Sequence, residues 1–209
     1  MIYAIGDIHG CLKTLQALLK KLPYQKDDLL VFLGDYIDRG PDSKGVLEFL
    51  MQFMHEHPHV VYLRGNHEEM CVRALKTQSK EAYAHWFENA GEATLNSYHG
   101  QFDGVHALML QSLPLTYETD EYFFCHAGVD ANFPLYEQPK ETLLWMRKPF
   151  IHSTVDYGKV IVFGHSYMEK VLITPNKIGL DTGCSQGKKL SAIALPTLEV
   201  YDHVCVDSI

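Results

Sequence analysis

The sequence lacks long apolar runs, an excess of basic residues and closely paired cysteines. No apolar run approaches the ~20 residues needed to cross a bilayer. The apolar segment at residues 2–5 has no basic leader and ends at Gly6, too early for a signal peptide. A count of 18 basic and 26 acidic residues gives a formal net charge of −8. Because nucleic acid and membrane surfaces attract basic patches, we expect neither as a partner.

Cysteine is scarce, and none of the 5 cysteines forms a C-x-x-C pair. This spacing argues against a structural zinc knuckle. The odd number and wide spacing predict free thiols in a reducing compartment, and so a cytoplasmic location. The cysteines are Cys11, Cys71, Cys125, Cys184 and Cys205.

The length of 209 residues and the 46% hydrophobic content predict one domain, 1–209, with a sizeable core. Buried strands are predicted at 2–5, 29–33 and 60–63. Helical spacing of leucines follows the first strand, and a second helix is predicted to begin at Ser43 as its N-cap. The βαβαβ order predicts parallel strands, whose carboxyl ends are the usual place for a site.

The pattern changes after the third strand. A proline-free helical pattern predicts an insert or cap at about 68–100. Short strands then follow at 121–125, 159–163, 171–174, 178–180, 190–195 and 198–206. We therefore predict an α/β fold with two packed mixed β-sheets flanked by helices, made of an N-terminal βαβαβ half and a strand-rich C-terminal half.

Polar segments follow five of the predicted strands. They read GDIHG at 6–10, GDYIDRG at 34–40, GNHE at 65–68, CHAG at 125–128 and GH at 164–165. Strand ends that meet at one sheet edge would place about six oxygen and nitrogen ligands in one cleft, enough for two metal ions. The imidazoles favour manganese, iron or zinc over magnesium or calcium.

Asp7 and His9 are two residues apart, so an extended segment would point both side chains to one side. The Asp35 carboxylate could bridge two ions about 3.5–4 Å apart. His126 and His165 could complete a second site. The alternative for each histidine is a buried imidazole with an ordinary hydrogen-bond partner.

Asn66 and His67 are adjacent, so in an extended loop their side chains would point apart. Asn66 would then offer its carbonyl oxygen to a metal, while His67 would face the substrate. This arrangement suits a general acid, with Asp38 orienting the imidazole. The alternative is a polar turn with an Asp38–Arg39 surface pair, which stabilises a protein little.

These motifs, in this order, resemble the phosphoprotein phosphatase family of dinuclear metallophosphoesterases, above all its small bacterial and bacteriophage (lambda phosphatase-like) branch. The resemblance implies that the first metal is held by Asp7, His9 and a bridging Asp35. It implies that the second is completed by Asn66, His126 and His165. It also implies catalytic roles for His67, Asp38, Arg39 and, from the L-W-M-R segment, Arg147.

The resemblance further implies a serine/threonine protein phosphatase with two divalent ions, manganese being expected and iron or zinc being alternatives. A metal-activated hydroxide would attack in line, and His67 would protonate the leaving oxygen. The substrate would be a phosphorylated protein or a small phosphoester. The alternative is a symmetrical diadenosine tetraphosphatase, because segment 86–95 resembles both groups. A non-catalytic scaffold would lack one of these residues, and none is missing.

Two departures from related patterns are informative. Many metallophosphoesterases have G-H-x-H where this chain has Tyr167, which predicts a more open first metal site. The S-A-P-N-Y motif of eukaryotic relatives is absent, so no regulatory subunit is expected. The insert carries aromatic residues that either pack inward or form a lip over the site: Tyr83, Trp86, Phe87 and Tyr98.

Overall fold

The computed structural model describes residues 1–208, which form ten strands and eight α-helices. The strands are β1 Ile2–Ile5, β2 Leu29–Phe32, β3 Val60–Tyr62, β4 Thr116–Glu118, β5 Tyr122–Cys125, β6 Val160–Phe163, β7 Leu172–Thr174, β8 Lys177–Gly179, β9 Lys189–Leu195 and β10 Glu199–Val204. The helices are α1 Leu12–Leu19, α2 Ser43–Glu56, α3 Asn66–Thr77, α4 Lys80–Glu88, α5 Gly91–Ser97, α6 Gly104–Ser112, α7 Lys140–Trp145 and α8 Lys148–Ile151.

The strands form two mixed sheets of five strands each. The first has the order β10-β9-β1-β2-β3. Strands β1, β2 and β3 are parallel, β9 is antiparallel to β1, and β10 is antiparallel to β9. The second has the order β4-β5-β6-β8-β7, with β5, β6 and β8 parallel and antiparallel strands at both edges. The predicted fold class, two packed mixed sheets flanked by helices, is therefore confirmed.

Side chains alternate between two apolar layers along the first sheet. In β1, Ala4 faces the second sheet and packs in one cluster with Val31, Phe124 and Val162. Its neighbour Ile5 faces the other way, into the cluster formed with α1 and α2. A third cluster covers the outer face of the second sheet. Because strand side chains alternate in direction, each sheet is covered on both faces, which is why its strands read as continuous apolar runs.

The structure corrects several local predictions. The N-cap of α2 is Asp42, whose Oδ1 accepts the Gly45 N–H at 2.8 Å, and Ser43 is the first helical residue. Strand β4 and helix α6 were not predicted. The helical region runs through α3, α4, α5 and α6, so it begins before residue 68 and ends beyond residue 100. The division into a single domain with an insert stays a prediction.

No helix within residues 1–208 is both long and apolar enough to cross a membrane.

Candidate metal centre

The six predicted metal ligands lie where five strands end. Asp7 and His9 follow β1, and Asp35 follows β2. Asn66 is the first residue of α3, four residues after β3. His126 and His165 follow β5 and β6. All six side chains are buried, none being more than 7% exposed.

The Asp35 carboxylate lies between two imidazoles. Its Oδ2 is 3.3 Å from His9 Nε2, and its Oδ1 is 3.3 Å from His126 Nε2. Burial alone would raise the pKa of Asp35, but His126 and His67 hold that pKa well below its usual value. Asp35 is therefore a buried carboxylate that stays ionised and contacts both halves of the centre.

Asn66 occupies the second half of the centre. Its Oδ1 is 2.8 Å from His126 Nε2 and 3.0 Å from His165 Nδ1. One group of closely placed donor atoms contains Asp35, His126 and His165, and another contains His9, Asp35 and His67. The members of each group lie within 4.8 Å of one another, as metal ligands do.

The hydrogen bonds of the imidazoles test whether this donor set fits a cation. His9 Nδ1 lies 2.8 Å from the Ile37 carbonyl oxygen, and His126 Nδ1 lies 2.8 Å from that of Leu33. Because a carbonyl oxygen only accepts, Nδ1 carries the proton in both rings, and a neutral ring then aims its Nε2 lone pair at Asp35. Against the opposing effect of burial, Asp35 raises the pKa of His126 to about 9. The centre therefore attracts positive charge and fits divalent metal ions.

Asp7 lies close enough to Asp35, His9 and His126 for their charges to act on its carboxylate. Its carboxylate accepts the His165 backbone N–H at 2.9 and 3.2 Å. Burial raises the pKa of Asp7 well above its usual value, and the charges of Asp181 and Asp35 add to this effect. A carboxylate this buried and this close to other carboxylates is stabilised by a bound cation.

The backbone around the centre is strained. Five predicted site residues have left-handed backbone angles, with φ between 48° and 70°, a conformation that costs non-glycine residues about 1–3 kcal/mol each. Two glycines allow close approach: a Cβ at Gly65 would lie 2.1 Å from Asp35 Oδ1, and one at Gly164 would lie 2.1 Å from Asp7 Oδ1. The strained residues are His9, Asp35, Asp38, Arg39 and His165.

This geometry corrects two sequence-based arguments. His9 lies in a turn, not in an extended segment, and the turn aims its Nε2 at Asp35. Asn66 and His67 open α3 and do not form an extended loop. Adjacent helical residues still point in different directions, so His67 faces away from Asn66 as expected.

His67 is held by a buried chain of hydrogen bonds. Its Nδ1 is 2.7 Å from Asp38 Oδ2, and Asp38 also accepts from Trp86 Nε1 at 2.9 Å and from Thr94 Oγ1 at 2.5 Å. Burial lowers the pKa of His67, while Asp35 and Asp38 act against that effect. The donors Trp86 and Thr94 come from α4 and α5, so the helical region fixes the His67–Asp38 pair.

Two exposed arginines lie beside the buried groups. The Arg39 guanidinium is 2.9 Å from His9 Nε2 and 3.1 Å from His67 Nε2. Arg147 precedes α8, and its charge contributes to lowering the pKa of His165, after burial and His126. Buried ligands next to exposed guanidinium groups suit an anion that approaches from solvent.

A family model described as calcineurin-like phosphoesterase matches residues 1–194. The chain belongs to this family. Its members are metal-dependent hydrolases that act on phosphoesters, so this chain is a phosphoesterase as predicted.

Similar proteins carry two kinds of name. Serine/threonine-protein phosphatase 2 of Escherichia coli is 30% identical over 91% of this chain and 90% of its own length. An asymmetrical bis(5'-nucleosyl)-tetraphosphatase of Oceanobacillus iheyensis is 27% identical over 93% and 88%. A crystal structure described as a candidate diadenosine tetraphosphatase superposes with a TM-score of 0.77 at 23% identity, over 99% of this chain and 94% of that one. The last likeness establishes the fold.

Within the phosphoesterase centre, Glu68 is a residue whose role the sequence did not reveal. Its Oε2 accepts the N–H groups of Asp35 and Gly65, both at 2.8 Å. Its Oε1 accepts that of Tyr36 at 2.8 Å and that of Ile37 at 3.4 Å. Burial raises the pKa of Glu68 to about 7, with Asp35 adding to the shift. One buried carboxylate thus positions the loop that carries Asp35.

Glu68→Gln is expected to lower the free energy of unfolding by about 2–4 kcal/mol, because an amide keeps one accepting oxygen and turns N–H donors toward the N–H groups of the loop. Urea denaturation measures the change. Glu92→Gln, on the exposed face of α5, is the matched control and should change stability little. Equal stabilities of the two variants would refute the positioning role.

Of the two alternatives for the aromatic residues of the insert, inward packing holds for two of the four. Trp86 is fully buried and donates a hydrogen bond from Nε1 to Asp38. Tyr98 is 5% exposed, and its hydroxyl lies 2.5 Å from His106 Nδ1. Tyr167, at the departure from G-H-x-H, is 40% exposed and lies under the Lys188 ammonium at 3.7 Å. Tyr167 is thus engaged at the surface by Lys188.

A groove of about 310 Å³ lies next to the centre. Trp145, in its wall, packs edge-on against His165 with ring centroids 5.9 Å apart, and His85 lies 6.2 Å from Trp145. The wall is mostly charged or polar, being formed by Glu69, Met70, Arg73, His85, Glu141 and Trp145.

Proposed function

We propose that this phosphoesterase is a serine/threonine protein phosphatase that uses two divalent ions, manganese being the expected metal. The observation that carries the proposal is the buried Asp38–His67 pair. The His67 Nε2 lies 3.1 Å from the Arg39 guanidinium and 4.0 Å from Asp35 Oδ2. A held imidazole beside a phosphate-binding guanidinium and a metal-binding carboxylate suits the general acid of a phosphomonoesterase.

The first ion would be held by Asp7, His9 and Asp35, and the second by Asp35, Asn66, His126 and His165. Bound in this way, the ions would lower the pKa of a shared water and supply the nucleophile near neutral pH. Hydrogen bonds behind the two imidazoles support the assignment, since carbonyl oxygens of Ile37 and Leu33 accept the Nδ1 protons of His9 and His126.

Arg39 and Arg147 would bind the phosphoryl oxygens. A guanidinium offers two parallel N–H donors to a phosphate, and such charge-assisted bonds are about twice as strong as neutral ones. Both arginines are exposed, so substrate can reach them without opening the core.

His67 would protonate the leaving oxygen from Nε2. Asp38 accepts from Nδ1 and stabilises the doubly protonated ring. A bound phosphate dianion adds negative charge beside Nε2, which opposes the lowering of the His67 pKa by burial. The proton is therefore best held when substrate is present.

The preference for a phosphoprotein rests on the groove and on the buried aromatics. Four of the six side chains in the wall of the groove are charged or polar, and they suit the polar groups of a peptide. Trp86 and Tyr98 face inward and are not available to stack a nucleobase. The similarity to the E. coli protein phosphatase supports the same assignment. Five free cysteines support a cytoplasmic location.

A second candidate is hydrolysis of a dinucleoside polyphosphate. The His85–Trp145 pair in the groove favours it, because neighbouring rings can stack a base. The relative from O. iheyensis carries such an activity in its name.

The deciding experiment compares kcat/KM for a phosphothreonine peptide and for diadenosine tetraphosphate, using metal-stripped protein reconstituted with manganese. We expect the peptide to be preferred. A preference for the dinucleotide would overturn the proposal. The products of dinucleotide hydrolysis would then identify the cleavage: two ADP show symmetrical cleavage, and AMP with ATP shows asymmetrical cleavage. Trp145→Leu should then impair dinucleotide cleavage alone. The Asp35→Asn protein provides the background from contaminating phosphatases.

A further inference from the structure

Three cysteines that are far apart in sequence meet at one point of the fold. Cys11 precedes α1, Cys184 opens the 3₁₀ helix Cys184–Gln186, and Cys205 follows β10. Their sulfur atoms all lie within 4.8 Å of one another. We name this group the thiol cluster. The other two cysteines, Cys71 and Cys125, are not part of it.

The thiol cluster is fixed by its surroundings. Cys11 and Cys184 are buried, and Cys205 is half-buried. The Cys205 N–H donates to the Lys188 carbonyl at 2.7 Å, and the next N–H donates to Thr14 Oγ1 at 3.0 Å. Three separate elements are therefore held with their sulfurs together, and the half-buried member leaves a path from solvent.

The geometry points to a second metal site: we propose that the thiol cluster binds one thiophilic divalent ion, such as zinc, through three thiolates. Zn–S bonds of about 2.3 Å place the sulfurs of a tetrahedral site about 3.8 Å apart. The present distances between the sulfurs are at most 4.8 Å, so each would shorten by at most about 1 Å when the ion binds. Solvent on the Cys205 side would supply the fourth ligand, since zinc held by three protein ligands takes a water at its fourth position.

Charge selects a divalent ion over a monovalent one. Three thiolates with a divalent ion leave one net negative charge, whereas three thiolates with a monovalent ion leave two, and burying charge is costly. Sulfur ligands also separate this site from the catalytic centre, whose donors are oxygen and nitrogen. The Cys11 thiol donates to the His9 carbonyl at 3.5 Å, so the two sites share a loop but no ligand.

The test uses the full-length, reduced protein and cobalt as the probe. Cobalt would enter the catalytic centre too, but only thiolate ligation gives intense sulfur-to-cobalt charge-transfer absorption. We expect the saturated absorption to correspond to one cobalt ion bound by thiolates per chain. Addition of zinc should displace this ion and remove the absorption. Alkylation followed by mass spectrometry should find Cys11, Cys184 and Cys205 protected when zinc is bound.

Two variants make the test specific. Cys205→Ser should abolish the absorption, and because Cys205 is half-buried, its removal disturbs the core least. Cys125→Ala removes a buried thiol outside the cluster and should retain the full absorption. A wild-type protein without the absorption, or a Cys205→Ser protein that keeps it, would overturn the site. The site would also be overturned if two cluster thiols oxidised to a disulfide in air at the same rate with and without zinc.

Discussion

The His67→Asn protein is expected to lose about 10²- to 10⁴-fold in kcat toward a phosphothreonine peptide while keeping its metal ions. Asparagine can still donate to Asp38, but it supplies no proton to the leaving oxygen. The metal content should not change, because His67 Nε2 is 4.0 Å from the nearest Asp35 oxygen and the six proposed ligands remain. Steady-state kinetics and metal analysis on the same sample check both parts.

The leaving group separates lost acid catalysis from general damage. An aryl phosphate with a good leaving group needs little protonation, so its hydrolysis should fall much less than that of the phosphothreonine peptide. His203→Asn, at a partly buried position on β10 outside the centre, is the control and should match the wild type with both substrates. An equal loss for the two substrates would remove His67 from the acid role.

Much of the fold could be predicted because the strands are short, apolar and bounded by turn residues. β1 has the predicted limits, and the other predicted strands differ from the observed ones by one or two residues at one or both ends. β4 was missed because its three residues, Thr116–Glu118, are only partly buried and carry no apolar run. An edge strand is defined by its partner β5 more than by its own sequence.

The polar segments placed the candidate ligands, but not the groups that support them. Trp86 and Thr94 reach Asp38 across 48 and 56 residues, and no local pattern records such a contact. Glu68 was visible in the GNHE segment, but its bonds to the 34–37 loop depend on how α3 meets β2. The thiol cluster joins residues 11, 184 and 205, which the wide cysteine spacing had suggested were independent.

Asp35→Asn is expected to lower kcat/KM by at least about 10³-fold, because metal ions contribute several kcal/mol of transition-state stabilisation and this carboxylate contacts both halves of the centre. The amide keeps one neutral oxygen and turns an NH₂ group toward His9 or His126, each 3.3 Å from the present carboxylate. After reconstitution with manganese and dialysis, the bound manganese should be less than about one ion per chain, against about two in the wild type. Asp120→Asn, at an exposed position, should retain both.

A comparison with Asn66→Ala decides whether Asp35 bridges. The Asn66 amide oxygen faces only His126 and His165, at 2.8 and 3.0 Å, so its removal should weaken one site and spare the other. Asp35 divides its two oxygens between His9 and His126, so its removal should weaken both. If both variants retain one ion, Asp35 serves a single site and the bridging assignment is wrong. If only Asp35→Asn loses both ions, the two sites depend on one carboxylate. That dependence would also explain the left-handed backbone at Asp35 and the three N–H groups of its loop that donate to Glu68.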